Sequence, residues 1–177
     1  MSHKNIHLLL NDYAGEVSEL TAITQYLHHH FVVGYKDVAK LLEEISLVEM
    51  RHFEMLGEAL RDAGIDPRIY NTHKKYWTGN YVNYQYNVCD ILRADIVAEL
   101  DAISQYYRHI ALIPNRDIQT LLRRIIKDEL KHIELFSEKL AQHCRDFDYR
   151  TWLKQSINNY NLELSEREHV LSTLRLS

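Results

Sequence analysis

The sequence predicts an all-α protein: a four-helix bundle built from two helical hairpins and a long crossover, with one or two short helices at the C-terminus. Three observations predict it. The chain repeats itself at an offset of 80 residues; each repeat carries apolar residues at three- and four-residue steps; and helix breakers fall between those stretches. The repeat is direct. Glu19-Leu-Thr-Ala-Ile-Thr-Gln-Tyr26 aligns with Glu99-Leu-Asp-Ala-Ile-Ser-Gln-Tyr106, six of eight positions being identical. At the same offset Glu49-Met-Arg-His-Phe-Glu-Met-Leu56 meets Glu129-Leu-Lys-His-Ile-Glu-Leu-Phe136, with Glu, His and the second Glu preserved.

The elements follow in order. The first helix, over about 5–31, turns Leu20, Ile23, Tyr26 and Leu27 inward, and the second, over about 37–63, presents Leu41, Ile45, Val48, His52, Leu56 and Leu60. Gly34 separates the two, with Asp37 as the expected N-cap, and Gly64 with Pro67 closes the second. The third helix, over about 87–112, stacks Leu92, Asp95, Glu99, Ala102 and Tyr106 on one stripe. Pro114-Asn115 separates it from the fourth, over about 116–143, with Asn115 as cap and Leu122, Ile125, Glu129, His132, Phe136 and Leu140 facing inward. Residues 1–145 thus form one bundle with its crossover at 64–86. Residues 146–177 extend the same domain through short helices at Tyr149–Tyr160 and Ser165–Leu176, Ser165 and Glu168 making a capping box.

Composition narrows the function. A chain of 177 residues suits one domain with a sizeable core, and a formal charge of −4 gives no electrostatic reason to expect nucleic acid. The N-terminal ten residues lack the apolar core of a signal peptide, and no apolar run approaches membrane-spanning length. Cys89 and Cys144 stand 55 residues apart without a C-x-x-C pair, and read as reduced thiols of a cytoplasmic protein.

Spacing makes the polar residues of the repeat converge. Glu19 lies 15 residues before Gly34 and Glu49 lies 15 after it; Glu99 and Glu129 flank Pro114 in the same way. In antiparallel hairpins the two carboxylates of each pair sit at one depth, roughly 22 Å from the turn at the helical rise. His52 and His132 follow Glu49 and Glu129 by three residues and share their helix faces. Two hairpins therefore bring four glutamates and two histidines to mid-bundle. Bare carboxylates there would be costly, and two divalent cations would neutralise all four. Oxygen-rich ligation with one nitrogen per metal favours iron or manganese, without choosing between them. A glutamate from each of two helices with Glu-x-x-His from the other two is the arrangement of di-iron and di-manganese bundles.

These motifs resemble known families. Glu19 to Tyr26, Glu49-Met-Arg-His52, Leu92-Arg-Ala-Asp-Ile-Val-Ala-Glu-Leu-Asp101 and Asp128-Glu-Leu-Lys-His132 look like the metal-bearing helices of bacterioferritins, within the ferritin-like superfamily. The resemblance implies that Glu19 and Glu99 are terminal ligands, that Glu49 and Glu129 bridge the metals, and that His52 and His132 each bind one. Tyr26 falls where bacterioferritins carry a tyrosine beside the metals. Met50 falls at their haem-binding methionine, which implies haem as a further cofactor, although a packing methionine is the plainer reading. In the crossover, Trp77-Thr-Gly-Asn-Tyr81-Val82 resembles a stretch of small manganese catalases. Rubrerythrins are a third relative, but their four-cysteine rubredoxin module has no counterpart in a chain with two cysteines.

The remaining features complete the expectations. The aromatic crossover reads as a lid across the bundle. Tyr26 and Tyr106, two turns beyond Glu19 and Glu99, are candidates for a catalytic or positioning role, and Asp95 for orienting a ligating histidine. His28-His29-His30 cannot face one point and reads as an exposed helix end; Gln25 and Gln105 repeat without an evident role. The expected function is a dinuclear iron or manganese oxidoreductase acting on hydrogen peroxide or dioxygen, of catalase, peroxidase or ferroxidase type. The alternative is an iron-storage cage. A homo-oligomer is expected, and the electron donor is left open.

Overall fold

The computed structural model describes residues 4–177; the stretch read for a signal peptide begins with residues 1–3, outside the described residues. Four long helices form as the apolar periodicity requires: α2 (Glu19–Val32) and α3 (Lys36–Asp62) pair as one hairpin, α4 (Val88–Leu112) and α5 (Arg116–His143) as the other. A short helix α1 (Leu9–Ala14) precedes them, and α6 (Tyr149–Asn159) and α7 (Leu164–Thr173) follow.

The first helix is the main correction to the sequence reading. Instead of one helix over 5–31, the chain breaks between Ala14 and Glu19. Gly15 and Ser18 account for the break. The Ser18 hydroxyl donates to the Gly15 carbonyl at 2.7 Å and accepts the Thr21 backbone N–H, so it caps α2. A Cβ at Gly15 would lie 2.6 Å from the Asn11 carbonyl oxygen, so this turn tolerates glycine only.

Asn115 caps α5 through Asp117 and Ile118, as the sequence suggests. Gly64, at φ +75°, ends α3 in a left-handed turn, with the Ile65 N–H bonding back to the Leu60 carbonyl and Gly64 N–H to Arg61. Two capping expectations are corrected. Tyr35, not Asp37, occupies the α3 N-cap; Asp37 instead holds Lys139 at 2.8 Å and His143 at 3.0 Å on α5. The capping box of α7 is Glu163 with Glu166 rather than Ser165 with Glu168, because the N-cap lies two residues earlier.

The core runs between the hairpins, through residues such as Leu42, Ile45, Leu56, Ile96, Ile125 and Phe136. Leu153, Ile157, Leu162, Val170 and Leu176 of the C-terminal extension belong to the same buried cluster. Cys89 and Cys144 are joined as a disulfide, with Cα atoms 6.0 Å apart, which overturns their reading as reduced thiols. The hairpin explains it: the first turn of α4 and the C-cap of α5 meet at the same end, so residues far apart in sequence become neighbours. No helix among the described residues is long and apolar enough to cross a membrane.

The crossover makes a partial lid. Trp77 donates its indole N–H to Thr21 on α2 at 3.0 Å, and Asn83 donates its backbone N–H to Gln25. Tyr76, Tyr84 and Tyr86 instead remain exposed.

Candidate metal centre

Glu19 opens α2, Glu49 and His52 lie mid-α3, Glu99 mid-α4, and Glu129 and His132 mid-α5. All six side chains are at least 95 % buried. They form two overlapping donor groups, Glu19-Glu49-His52-Glu129 and Glu49-Glu99-Glu129-His132, within each of which the donor atoms lie no more than 4.8 Å apart. Glu49 and Glu129 are common to both. His52 Nδ1 lies 2.9 Å from Glu49, 3.1 Å from Glu129 and 3.7 Å from Glu19; His132 Nδ1 lies 2.9, 3.4 and 3.3 Å from Glu49, Glu99 and Glu129.

The electrostatics are those of crowded acids in a poor solvent for charge. Burial, with the charge of Glu49, raises the Glu19 carboxyl well above the usual range; burial and the Glu129 and Glu49 charges do the same to Glu99. Burial also disfavours the imidazolium of His52, yet Glu129, Glu19 and Glu49 outweigh it and raise its pKa. Glu49 Oε1 and Glu129 Oε1 are buried with no directed hydrogen bond, although imidazole nitrogens stand near both. Four carboxylates against two imidazoles in a fully buried cluster leave a deficit of positive charge. The donor set fits a pair of divalent, oxygen-preferring cations.

Surrounding side chains fix this cluster. The Tyr26 hydroxyl donates to Glu99 Oε1 at 2.6 Å, and the Tyr106 hydroxyl donates to Glu19 Oε1. Each tyrosine thus reaches across to the glutamate of the other hairpin. Burial and the neighbouring carboxylates raise both phenols, so both remain donors. His52 Nε2 lies 3.2 Å from Asp128, which leaves Nδ1 for the centre when the ring is neutral. Asp95 does not touch a ligating histidine, contrary to expectation. Its oxygens hold His29 Nδ1 at 2.8 and 3.0 Å and accept from Gln25 at 2.9 Å.

His29 is therefore fully buried, which corrects the reading of residues 28–30 as exposed imidazoles; the backbone of Asn83 and Gln85 reaches its other nitrogen. The second hairpin mirrors the arrangement: His109 Nδ1 lies 2.7 Å from Asp12, which also accepts from Gln105. Gln25 and Gln105 thus gain the role that the sequence did not disclose. Offset counting misses the second trio, because it pairs Asp95 with Gly15, whereas the break after α1 brings Asp12 into that place. Met50 lies on the outer face of α3, about half exposed.

A cavity of about 160 Å³ between α2 and α4 leads to this cluster, with Tyr81 and Asn83 of the crossover on its wall.

Comparison with known proteins agrees with this geometry. The ferritin-like domain family matches residues 10–145. The chain belongs to the ferritin-like family. Among curated relatives in that family, bacterioferritin from Desulfovibrio desulfuricans is 30 % identical over 133 residues, 72 % of this chain and 70 % of the relative. The encapsulin nanocompartment cargo protein EncC of Myxococcus xanthus is 33 % identical over 78 residues, 44 % of this chain; the match spans 58 % of that relative. Among solved structures, the manganese catalase KatB from Anabaena superposes with a TM-score of 0.75 at 26 % identity, covering 81 % of this chain and 74 % of that one.

Proposed function

We propose that this ferritin-like protein is an oxidoreductase whose dinuclear iron or manganese centre reacts with hydrogen peroxide or dioxygen. The observation that carries the reading is the pair of donor groups sharing Glu49 and Glu129 in the buried bundle interior. Glu19 and Glu99 would be terminal ligands, Glu49 and Glu129 would bridge, and His52 and His132 would each hold one metal. Bound metals would supply the two-electron chemistry that no side chain here offers. The protein's own part is positioning: Tyr26 and Tyr106 orient the terminal carboxylates, and the apolar bundle excludes bulk water. The relatives named as a manganese catalase and as a bacterioferritin support the class of chemistry. Haem forms no part of the proposal, since Met50 alone pointed to it.

The test is reconstitution with Mn²⁺ or Fe²⁺. Oxygen release from hydrogen peroxide without a reductant identifies catalase activity, and Fe²⁺-dependent dioxygen or peroxide consumption identifies ferroxidase or peroxidase activity. A metal-loaded protein that consumes neither oxidant overturns the proposal. Glu49→Ala should leave the purified protein with little metal by elemental analysis.

The bacterioferritin relative favours a second reading, an iron-storage cage. Light scattering separates the two, since a storage cavity needs a large closed homo-oligomer and a dimer or hexamer has none. A cytoplasmic location, expected from thiols read as reduced, loses that support once Cys89 and Cys144 are bridged.

A further inference from the structure

We propose that the cavity between α2 and α4 is the route by which metal ions load the centre, with Glu16 and Asp101 collecting the cation at its solvent end. The inference rests on the metal-centre reading above and adds a path and two residues to it.

The wall of this cavity is one-sided in charge. Glu16, Glu19, Glu49, Glu99, Asp101 and Glu129 all line it, and no lysine, arginine or histidine does so among the described residues. The carboxylates are graded by depth. Glu16 is exposed and Asp101 half-buried, whereas Glu19, Glu49, Glu99 and Glu129 are buried. Glu49 Oε1 and Glu129 Oε1, the two oxygens lacking a directed hydrogen bond, belong to the inner end. Ala22 on α2 and Ala94, Ala98 and Ala102 on α4 have side chains too short to fill the gap, and uncharged residues such as Gln25, Tyr26 and Tyr81 make up the rest of the wall. A carboxylate-lined funnel concentrates cations, because the low-dielectric protein around it focuses the field along the opening.

The C-terminal extension takes part in shaping it. Tyr160, just past α6, donates its hydroxyl to Asp101 Oδ1 at 2.7 Å and so fixes that carboxylate at the rim. An adjoining opening of about 330 Å³ shares Asn83, Ala94 and Val97 with the cavity and brings Trp152 of α6 beside it. The cation on that side, Arg93, is held by Asp90 at 2.5 Å.

The experiment follows Mn²⁺ uptake by metal-free protein, read as loss of the paramagnetic resonance signal of free Mn²⁺. At low ionic strength the double variant Glu16→Gln with Asp101→Asn should load about tenfold more slowly than wild type, while the final Mn²⁺ content stays the same. Added KCl should slow wild type and have little effect on the double variant. Glu16→Gln alone, at an exposed position, should slow loading about threefold and serves if the double variant does not fold. Glu58→Gln, exposed on α3 and outside the cavity, should load like wild type. Equal rates in wild type and variants, or an equal slowing by Glu58→Gln, overturn the route and leave the centre standing. A wild-type protein that takes up no Mn²⁺ overturns the metal centre itself.

Discussion

The six donor residues were legible because helical geometry converts sequence spacing into position. Glu19 and Glu49 are equidistant from Gly34, and Glu99 and Glu129 from Pro114, so depth could be counted before any contact was known. The partners of those donors were not legible, because they come from the opposite hairpin. Tyr26 bonds to Glu99 and Tyr106 to Glu19, contacts spanning 73 and 87 residues. Asp128 is a further case: it reaches His52 on α3 although it adjoins Glu129 on α5. The matching position in the first hairpin is Val48, which offers no such acceptor to His132. The two halves of the centre are therefore chemically unequal. A carboxylate behind a ligating imidazole fixes its tautomer and raises its basicity, an effect worth about 10–100-fold in metal affinity. Asp128→Asn should weaken one metal of the two by about tenfold. Calorimetric titration with Mn²⁺ would read this as convergence of the two binding steps, and an unchanged isotherm would count against the role.

At the scale of elements, helix existence followed from periodicity and helix ends from local chemistry, with unequal success. The spans of α3, α4 and α5 lie within one residue of expectation, since long apolar stripes and isolated breakers mark them. The break before α2 leaves little trace in the sequence because Gly15 and Ser18 are ordinary inside a periodic stretch, and only the Ser18-to-Gly15 bond shows that the cap is used. Gly64 offers a clean test of an element end. Its φ of +75° is the left-handed region, and nothing lies within 4 Å of the position a Cβ would take. Gly64→Ala should therefore cost only the backbone penalty, about 1–2 kcal/mol in urea unfolding. A second test lies where α3 begins and α5 ends. Hydrogen bonds from Lys139 and His143 hold the Asp37 carboxyl far below its ordinary value of 3.8. The sign follows from linkage: a carboxylate with a lowered folded pKa stabilises the fold above its unfolded pKa and loses that contribution as pH falls. Asp37→Asn should be less stable than wild type at pH 7, and the difference should shrink progressively as pH falls below about 4. Urea titrations at pH 7 and pH 3 would check it, and a constant difference would refute the linkage.

The molecule as a whole is one buried cluster closed by a covalent link, and the link was the feature least visible beforehand. Cysteine spacing carries no information about pairing when the loop between the cysteines is folded; here that loop is the entire α4–α5 hairpin, together with its turn. The Cys89–Cys144 bridge holds the end of α5 against the beginning of α4, where the crossover arrives and the extension departs. Phe147, just beyond it, packs under Arg93 at 4.9 Å, so the extension is anchored at the same corner. Closing a loop with a sequence separation of 55 residues removes unfolded-state entropy, which for loops of this length amounts to about 2–4 kcal/mol of folded stability. For a chain of this size such a change corresponds to a melting-temperature shift of about 5–15 °C. Cys89→Ser with Cys144→Ser should therefore melt lower than the oxidised wild type by that amount, and wild type in excess reductant should approach the variant. The donor cluster lies mid-bundle, away from this corner, so the Mn²⁺ content of the folded variant should equal that of wild type. If reduction left the melting temperature unchanged, the bridge would not constrain the unfolded chain. If metal content fell with it, the bundle would depend on the bridge to hold its two hairpins in register.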